Sequence, residues 1–168
     1  SVADLLTPDN LSEEHRMISQ TAERFMVERV MANADKIEKK DHEMLKTVLR
    51  ESAELGLLGA EIPEEYGGTG LDLLSTMLIT EQIARLASFS VSFGGHSGIG
   101  TAPVRYFGNE EQKQKWLPKL AACEVISCYA LTENHSGSDA LAARTKAVLS
   151  EDGTHYVLNG SKMWITNG

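Results

Sequence analysis

The chain has 168 residues, of which 42% are hydrophobic and 24% charged, a composition typical of a globular protein with a buried core. Its formal net charge is −8 with acidic and basic residues interspersed, which argues against a nucleic-acid-binding surface. No apolar run approaches the length of a membrane span, and residues 1–10 lack a signal-peptide pattern. The cysteines Cys123 and Cys128 fit a reducing compartment, and the scattered histidines indicate no metal site.

The first two thirds of the sequence has the spacing of amphipathic helices. Ser12 is placed to cap a first helix and Asp41 a second one, which Gly56 ends. A third helix is expected after Gly70. The residues expected to face the core are Ile18, Ala22, Phe25, Met26 and Val30 in the first helix, Met44, Leu45, Val48, Leu49, Ser52 and Leu55 in the second, and Leu73, Leu74, Met77, Leu78 and Ala84 in the third.

Residues 89–100 are rich in glycine and allow two interpretations. They do not match the dinucleotide-binding pattern, because no glycine follows Gly98 and Gly100 at the required spacing. A loop and a buried helix whose small residues permit close packing remain equally open. His96 within this stretch is expected to be a hydrogen-bonded core or interface group. Asn109 caps a further helix, with Gln112 in the capping-box position.

After Glu124 the pattern changes to short runs of β-forming residues. Segments 125–132, 145–149, 155–158 and 162–166 predict four strands of an antiparallel meander. Asp152-Gly153 and Asn159-Gly160 are typical hairpin turns. The order of elements predicts an α+β fold: an N-terminal all-α domain over residues 1–123, then the beginning of an antiparallel β domain over 124–168, truncated within its sheet.

Small and hydroxyl residues cluster after the first predicted strand. Ser136, Gly137 and Ser138 put no bulk between their N–H groups and a ligand, and glycine can also adopt a positive φ. Such a turn can hold a phosphate through backbone and hydroxyl donors. Taken alone, the residues also allow a strand that ends in an ordinary turn.

Two stretches together carry a family signature. In order, its residues are Ala130, Leu131, Thr132 and Glu133, then Ser136, Gly137, Ser138 and Asp139, then Ala142, followed downstream by the Trp-Ile-Thr segment Trp164, Ile165 and Thr166. The sequence thereby resembles the acyl-CoA dehydrogenase family of flavoproteins. Segments 62–70 and 108–120 are also similar to family segments, so the resemblance covers nearly the whole chain. It departs at Asn134-His135-Ser136, where members usually carry Pro-Gly-Ala.

The resemblance implies a site for noncovalent FAD. The residues that it places along the isoalloxazine ring are Tyr129, Ala130, Leu131 and Thr132, with Trp164, Ile165 and Thr166 covering the ring and bonding its redox nitrogen. Gly137 and Ser138 are expected at the pyrophosphate, and Ser138 also at the acyl-CoA substrate.

The reaction that the resemblance implies is α,β-dehydrogenation of an acyl-CoA thioester in fatty-acid β-oxidation, with electrons passed to an electron-transfer flavoprotein. The catalytic carboxylate of the family is expected beyond residue 168, and Glu133 is not assigned that role. We therefore expect the 168 residues alone to be inactive. Alternatives are an acyl-CoA oxidase of the same architecture and a non-catalytic ligand-binding or oligomerisation module.

The resemblance also implies where the protein acts and how it assembles. We expect a homotetramer or homodimer in the bacterial cytoplasm or the mitochondrial matrix. No metal site, nucleic-acid partner or transmembrane segment is expected.

Overall fold

A computed structural model describes residues 7–168 of the chain. The expectation for residues 1–10 falls mainly on residues 1–6, which lie outside the described residues. The helices are α1 (Glu13–Phe25), α2 (Ala34–Glu38), α3 (His42–Glu54), α4 (Leu73–Ile83), α5 (Ala87–Gly94), α6 (Ala102–Phe107) and α7 (Glu110–Ala121), and the strands are β1 (Lys146–Leu149) and β2 (Tyr156–Asn159). Helices followed by an antiparallel strand pair confirm the α+β class.

Side-chain caps fix the beginnings of the main helices. The Ser12 hydroxyl accepts from the His15 amide, and the Asp41 carboxylate accepts from the Met44 amide. Asn109 and Gln112 form the predicted capping box at the start of α7. Each cap satisfies amide groups that a helix leaves without an internal partner. The predicted helix starts are therefore confirmed.

The core lies between α1, α3, α4 and α5. Helix α1 packs against α4, and its axis continues through a π-helical turn, Met26–Val30. Phe89 of α5 is fully buried, with ring centroids 6.0 Å from Phe25 and 5.9 Å from Phe93. Such tilted aromatic pairs add to the free energy gained by burying the rings. Helix α5 is thus held at the centre of the helical region.

The glycine-rich stretch is helical. After α5 ends at Gly94, Gly95–Gly100 continues as a π-helical turn. His96 is buried; its Nε2 donates to the Leu120 carbonyl at 3.0 Å, and its Nδ1 accepts from the Ser127 amide at 3.0 Å. Burial lowers the pKa of His96, which keeps the ring neutral. The prediction of a hydrogen-bonded core histidine is confirmed.

The predicted inner face of α4 is wrong at Leu73 and Met77, whereas Leu74 and Leu78 are half-buried. Leu73 and Met77 are 73% and 61% exposed, whereas Ile79 and Ile83 are buried. The helix is apolar on nearly every side, so its sequence does not define one face. The other predicted core positions that prove exposed are Ala84 at the end of α4 and Leu55 after α3.

Two of the four predicted strands do not form. Segments 125–132 and 162–166 share one backbone hydrogen bond, from the Met163 amide to the Thr132 carbonyl at 2.9 Å. A strand needs a continuous ladder, and the chain leaves the extended region at Trp164, with φ of 59°. The predicted hairpin turn at Asn159-Gly160 does not form either, because no strand follows β2 in the described part of the chain to complete a hairpin. Gly160 lies so close to Thr145 that a Cβ there would collide with it.

The remaining pair confirms part of the predicted meander. β1 and β2 are antiparallel, with Ala147 opposite Leu158, and the turn between them uses Gly153 at φ of 69°.

None of the helices in residues 7–168 combines the length and apolar character that a membrane span requires. A domain division at 123/124 stays a prediction.

Candidate functional site

The two signature segments meet in a cleft of about 210 Å³. This cleft, called the ring cleft below, lies beside Ile99 of the glycine-rich helical turn. Segments 129–132 and 164–166 form its two walls. The residues that line it are Ile99, Tyr129, Leu131, Thr132, Trp164, Ile165 and Thr166.

The ring cleft combines flat apolar surface with hydroxyl donors. Trp164 is 84% exposed, and Tyr129 and Leu131 are also exposed. Thr132 and Thr166 contribute the hydroxyl groups. Such a surface suits a planar, partly polar ring system, which would cover the aromatic groups and pair with the hydroxyls.

Ala130, Gly137 and Ser138 lie outside the ring cleft. All three are exposed. Gly137 does not use a positive φ, and a Cβ at its position would meet nothing within 4 Å. The glycine therefore leaves an open backbone surface in the described part of the chain, as a phosphate would require. The residues expected at the pyrophosphate are thus separate from those expected at the ring.

The residues that depart from the family signature make a tight turn. Glu133 and Ser136 form an isolated bridge, with amide-to-carbonyl distances of 2.9 and 3.1 Å in the two directions. Asn134 and His135 form the tip of the turn, and neither has a positive φ. The Ser136 hydroxyl also donates to the carbonyl of Asp139 at 2.7 Å. The turn before Gly137 is therefore fixed by its own hydrogen bonds.

Glu133 is the buried centre of this region. Its carboxylate accepts from the Arg144 amide at 2.7 Å and the Thr145 amide at 2.9 Å, and pairs with the Lys162 ammonium at 2.9 Å. His135 Nε2 lies 3.3 Å from the same carboxylate. The Thr145 side chain, the amides of Arg144 and Thr145, and Lys162 hold the pKa of Glu133 well below its usual range. A carboxylate so paired is not available as a general base.

Asn167 fixes the second wall to α5. Its side-chain amide donates to the Ser92 carbonyl at 2.8 Å and to the Ser127 carbonyl at 3.3 Å. Gly95 makes room for the neighbouring threonine, because a Cβ there would lie 3.1 Å from Thr166 Cγ2. The position of Thr166 therefore depends on contacts with the helical region.

Three of these residues had no assigned role in the sequence. Glu133 was a signature residue, Lys162 a predicted strand residue and Asn167 a turn signal. Glu133 lies between an apolar run and a cluster of small residues, and this position was the signal in the sequence. A carboxylate placed there needs a buried partner for its charge. Nothing local indicated that Lys162 was that partner.

A helical unit followed by a small antiparallel pair defines an α+β protein, with a cleft between two loop segments. Residues 12–124 match the family description "acyl-CoA dehydrogenase, N-terminal domain", and residues 128–168 match "acyl-CoA dehydrogenase, middle domain". The chain belongs to the acyl-CoA dehydrogenase family.

Individual relatives cover nearly all of the chain. A probable acyl-CoA dehydrogenase of Bacillus subtilis (strain 168) is 54% identical over 163 residues, 97% of this chain and 27% of the relative. Mitochondrial isovaleryl-CoA dehydrogenase of Bos taurus is 38% identical over 95% of this chain and 38% of its own length. A crystal structure of an acyl-CoA dehydrogenase complexed with FAD from Bacillus anthracis has a TM-score of 0.96 and 50% identity, covering 99% of this chain and 29% of that chain. The chain thus spans well under half the length of these relatives.

Within residues 7–168, no three His, Cys, Asp or Glu side chains come together in a way that could hold a metal ion. The free thiols are the buried Cys123 and the exposed Cys128. Burial raises the pKa of Cys123, so its thiol stays protonated at neutral pH.

Proposed function

We propose that the protein containing this chain is an FAD-dependent acyl-CoA dehydrogenase and that the ring cleft receives the isoalloxazine. The observation that carries this proposal is the convergence of Thr132, Trp164 and Thr166 around one cleft, although more than 30 residues separate the two segments. Family membership supports it, as does the FAD-bound relative with the same fold.

The residues present fit such a cofactor. In the proposal, Tyr129, Leu131 and Trp164 contact the flat apolar faces of the ring, whereas Thr132 and Thr166 donate hydrogen bonds to its polar edge and redox nitrogen. Ile165 lines the same cleft, whereas Ala130 belongs to the first segment but lies outside the cleft.

Gly137 and Ser138 hold the pyrophosphate in this proposal. The open backbone at Gly137 lets a phosphate approach its amide, and the Ser138 hydroxyl is a further donor. Ser138 is exposed, so it can also border the thioester substrate.

When bound, the flavin would supply the acceptor for a hydride from the β-carbon of an acyl-CoA thioester. This part of the chain binds and orients the ring, and its aromatic groups exclude water from one side. Glu133 does not remove the α-proton, because donors already occupy its carboxylate. The base in this proposal is the carboxylate that the family resemblance implies beyond residue 168.

Partners and location follow from the same proposal. We propose that electrons pass to an electron-transfer flavoprotein and that the protein is a homotetramer or homodimer of the bacterial cytoplasm or mitochondrial matrix. The relatives include isovaleryl-CoA and short-chain enzymes, so branched and short thioesters belong in any substrate panel.

Anaerobic reduction of the purified full-length protein tests the function. We expect bound FAD to bleach when butyryl-, isovaleryl-, glutaryl- or a long-chain acyl-CoA is added, and to remain oxidised with free CoA as the control. Rapid reoxidation of the reduced protein by oxygen would instead favour the acyl-CoA oxidase. Bound flavin that no thioester reduces would favour a non-catalytic binding module.

A further inference from the structure

The two walls of the ring cleft are joined through Lys162. Its ammonium donates to the Leu131 carbonyl at 2.8 Å, which belongs to the first wall, and pairs with Glu133 Oε1 at 2.9 Å. Lys162 itself stands two residues before Trp164, the first residue of the second wall. The Lys162 side chain therefore connects the segment just before the second wall with the backbone of the first wall.

The acceptor of this bridge is unusually well fixed. The side chain of Glu133 is 2% exposed, and its two oxygens accept from the Arg144 and Thr145 amides as well as from Lys162. Burying a carboxylate is unfavourable unless its oxygens are paired, and here the pairing is extensive. Glu133 thus links the signature turn to the residues just before β1, and Lys162 extends the link to the second wall.

Other contacts anchor the ends of both walls, and one of them joins the two ends: Asn167 donates to the Ser127 carbonyl at 3.3 Å. The first wall is tied to the helical region where Ser127 bonds His96, and the second where Asn167 bonds Ser92. Between the walls there is the single backbone bond from Met163 to Thr132. The Glu133–Lys162 pair is a charged contact between the segments that carry the two walls, next to that backbone bond.

We propose that Glu133 and Lys162 are positioning residues for the flavin: their ion pair holds the walls of the ring cleft at the separation that the ring requires. This inference rests on the proposed function. Neither residue lines the ring cleft, so they act through Leu131, Thr132 and Trp164. A purely structural role, in which the pair stabilises the fold without affecting the cleft, is the competing account.

Substitutions at Lys162 separate the two accounts. Lys162→Met keeps the length of the stem but removes the charge and both donations, whereas Lys162→Arg keeps a cation. We expect Lys162→Met to raise the Kd for FAD by about tenfold or more, the factor that one lost charge-assisted hydrogen bond represents. Lys162→Arg should restore most of the affinity.

A second substitution removes charge from the other partner. Glu133→Gln keeps the shape, but its NH2 group cannot accept the bonds that a carboxylate oxygen accepts. It should weaken FAD binding in the same direction. Glu51→Gln is the matched control, because Glu51 accepts from Arg29 Nε at 2.9 Å in an ion pair remote from the ring cleft in sequence and in contacts.

The experiment uses the full-length protein stripped of flavin. FAD titration followed by fluorescence quenching gives Kd, visible circular dichroism of the bound flavin reports the ring's surroundings, and thermal unfolding of the apoprotein reports the fold. We expect Lys162→Met and Glu133→Gln to change the first two readouts, Lys162→Arg to recover them, and Glu51→Gln to leave both unchanged. If Lys162→Met does not fold, Lys162→Gln carries the same expectation.

Two results would overturn the proposal in distinguishable ways. Wild-type protein that binds no FAD would remove the proposed function and this inference with it. Wild-type protein that binds FAD while Lys162→Met and Glu133→Gln keep its Kd and circular dichroism would leave the function standing and reduce the ion pair to a structural contact.

Discussion

The helical region and the region after residue 123 are held together by different forces. The helical region has a continuous apolar core in which residues such as Phe89 and Met26 are fully buried. In residues 124–168, all of them described, Glu133 and Ser136 are the buried residues, and every residue of β1 and β2 is exposed. Within these 168 residues, hydrophobic burial stabilises the first region, whereas hydrogen bonds and an ion pair shape the second.

This difference explains where single changes should act. Removing core volume in the helices should lower the free energy of unfolding of the whole region, because packed interiors relax only partly around a cavity. Changing a polar or small residue after 123 should alter ligand binding with less effect on stability, because little apolar surface is lost. The candidate site thus lies in the region with the smaller share of buried area.

Phe89→Ala should have the largest effect on stability. The side chain is fully buried between Phe25 and Phe93, so its loss should reduce the free energy of unfolding by about 3–5 kcal/mol. Leu158→Ala in β2 is the matched change in the other region, where the side chain is 72% exposed and the effect should stay within about 0.5 kcal/mol. Denaturant unfolding of the 168-residue chain, in which Leu158 is exposed, measures both, and equal losses would contradict the comparison.

Gly137→Leu should have the next largest effect, on cofactor binding. A Cβ at this position meets no neighbouring atom within 4 Å, so the substitution should not disturb the described chain. It should obstruct the phosphate and weaken FAD binding by about tenfold to a hundredfold, as expected for a steric conflict of about 1–3 kcal/mol. Flavin content and Kd measure the effect. Gly94→Leu is the control, with equally open space on α5; undiminished flavin in Gly137→Leu would refute the assignment of the turn.

Thr166→Val should have a smaller effect, confined to the chemical step. Valine preserves the methyl group that packs at Gly95 but removes the hydroxyl. Loss of one hydrogen bond of about 1 kcal/mol corresponds to about a fivefold slower flavin reduction. Stopped-flow measurement with saturating acyl-CoA tests this at full flavin occupancy. A rate equal to that of the wild type would mean that Thr166 contributes packing alone.

The smallest predicted effect concerns acid stability at α4. The amide and side chain of Ser75, with His15 alongside, lower the pKa of Asp72 to about 2. Because this value is below the unfolded value of about 3.9, the stabilisation is complete above about pH 4 and is lost as the pH falls towards 2. Asp72→Asn keeps a capping group but cannot ionise, so its unfolding free energy should fall less steeply over this window. Identical slopes in acid denaturation would count against the assignment.

The sequence predicts features that depend on neighbouring residues better than features that depend on tertiary contacts. Helix starts at Ser12, Asp41 and Asn109 were predictable because capping is local in sequence. The inner face of α4 was not, because apolar residues surround the helix and tertiary packing chooses the side. Likewise, β-forming residues at 125–132 did not give a strand, since strand formation depends on a hydrogen-bonded neighbour.

The site was predictable in part. The signature identified both walls of the ring cleft, and the structure brings Thr132 and Thr166 to one place; their contact with FAD stays a prediction. The Glu133–Lys162 pair was not predictable, because 28 intervening residues separate the partners and their pairing depends on the path of the hairpin between them. Local pattern thus identified the ligand-facing residues, and the structure identified the ones that support them.

Hydrogen exchange of the full-length protein with and without FAD shows directly whether the flavin occupies the ring cleft. In the proposed arrangement, segments 129–138 and 163–167 form a flavin site supported mainly by polar contacts. Exchange at these amides should slow markedly when FAD binds, while the core amides of α5 and those of the β1–β2 turn change little. Unchanged exchange in both segments, with FAD bound at full occupancy, would contradict the placement of the flavin in the ring cleft.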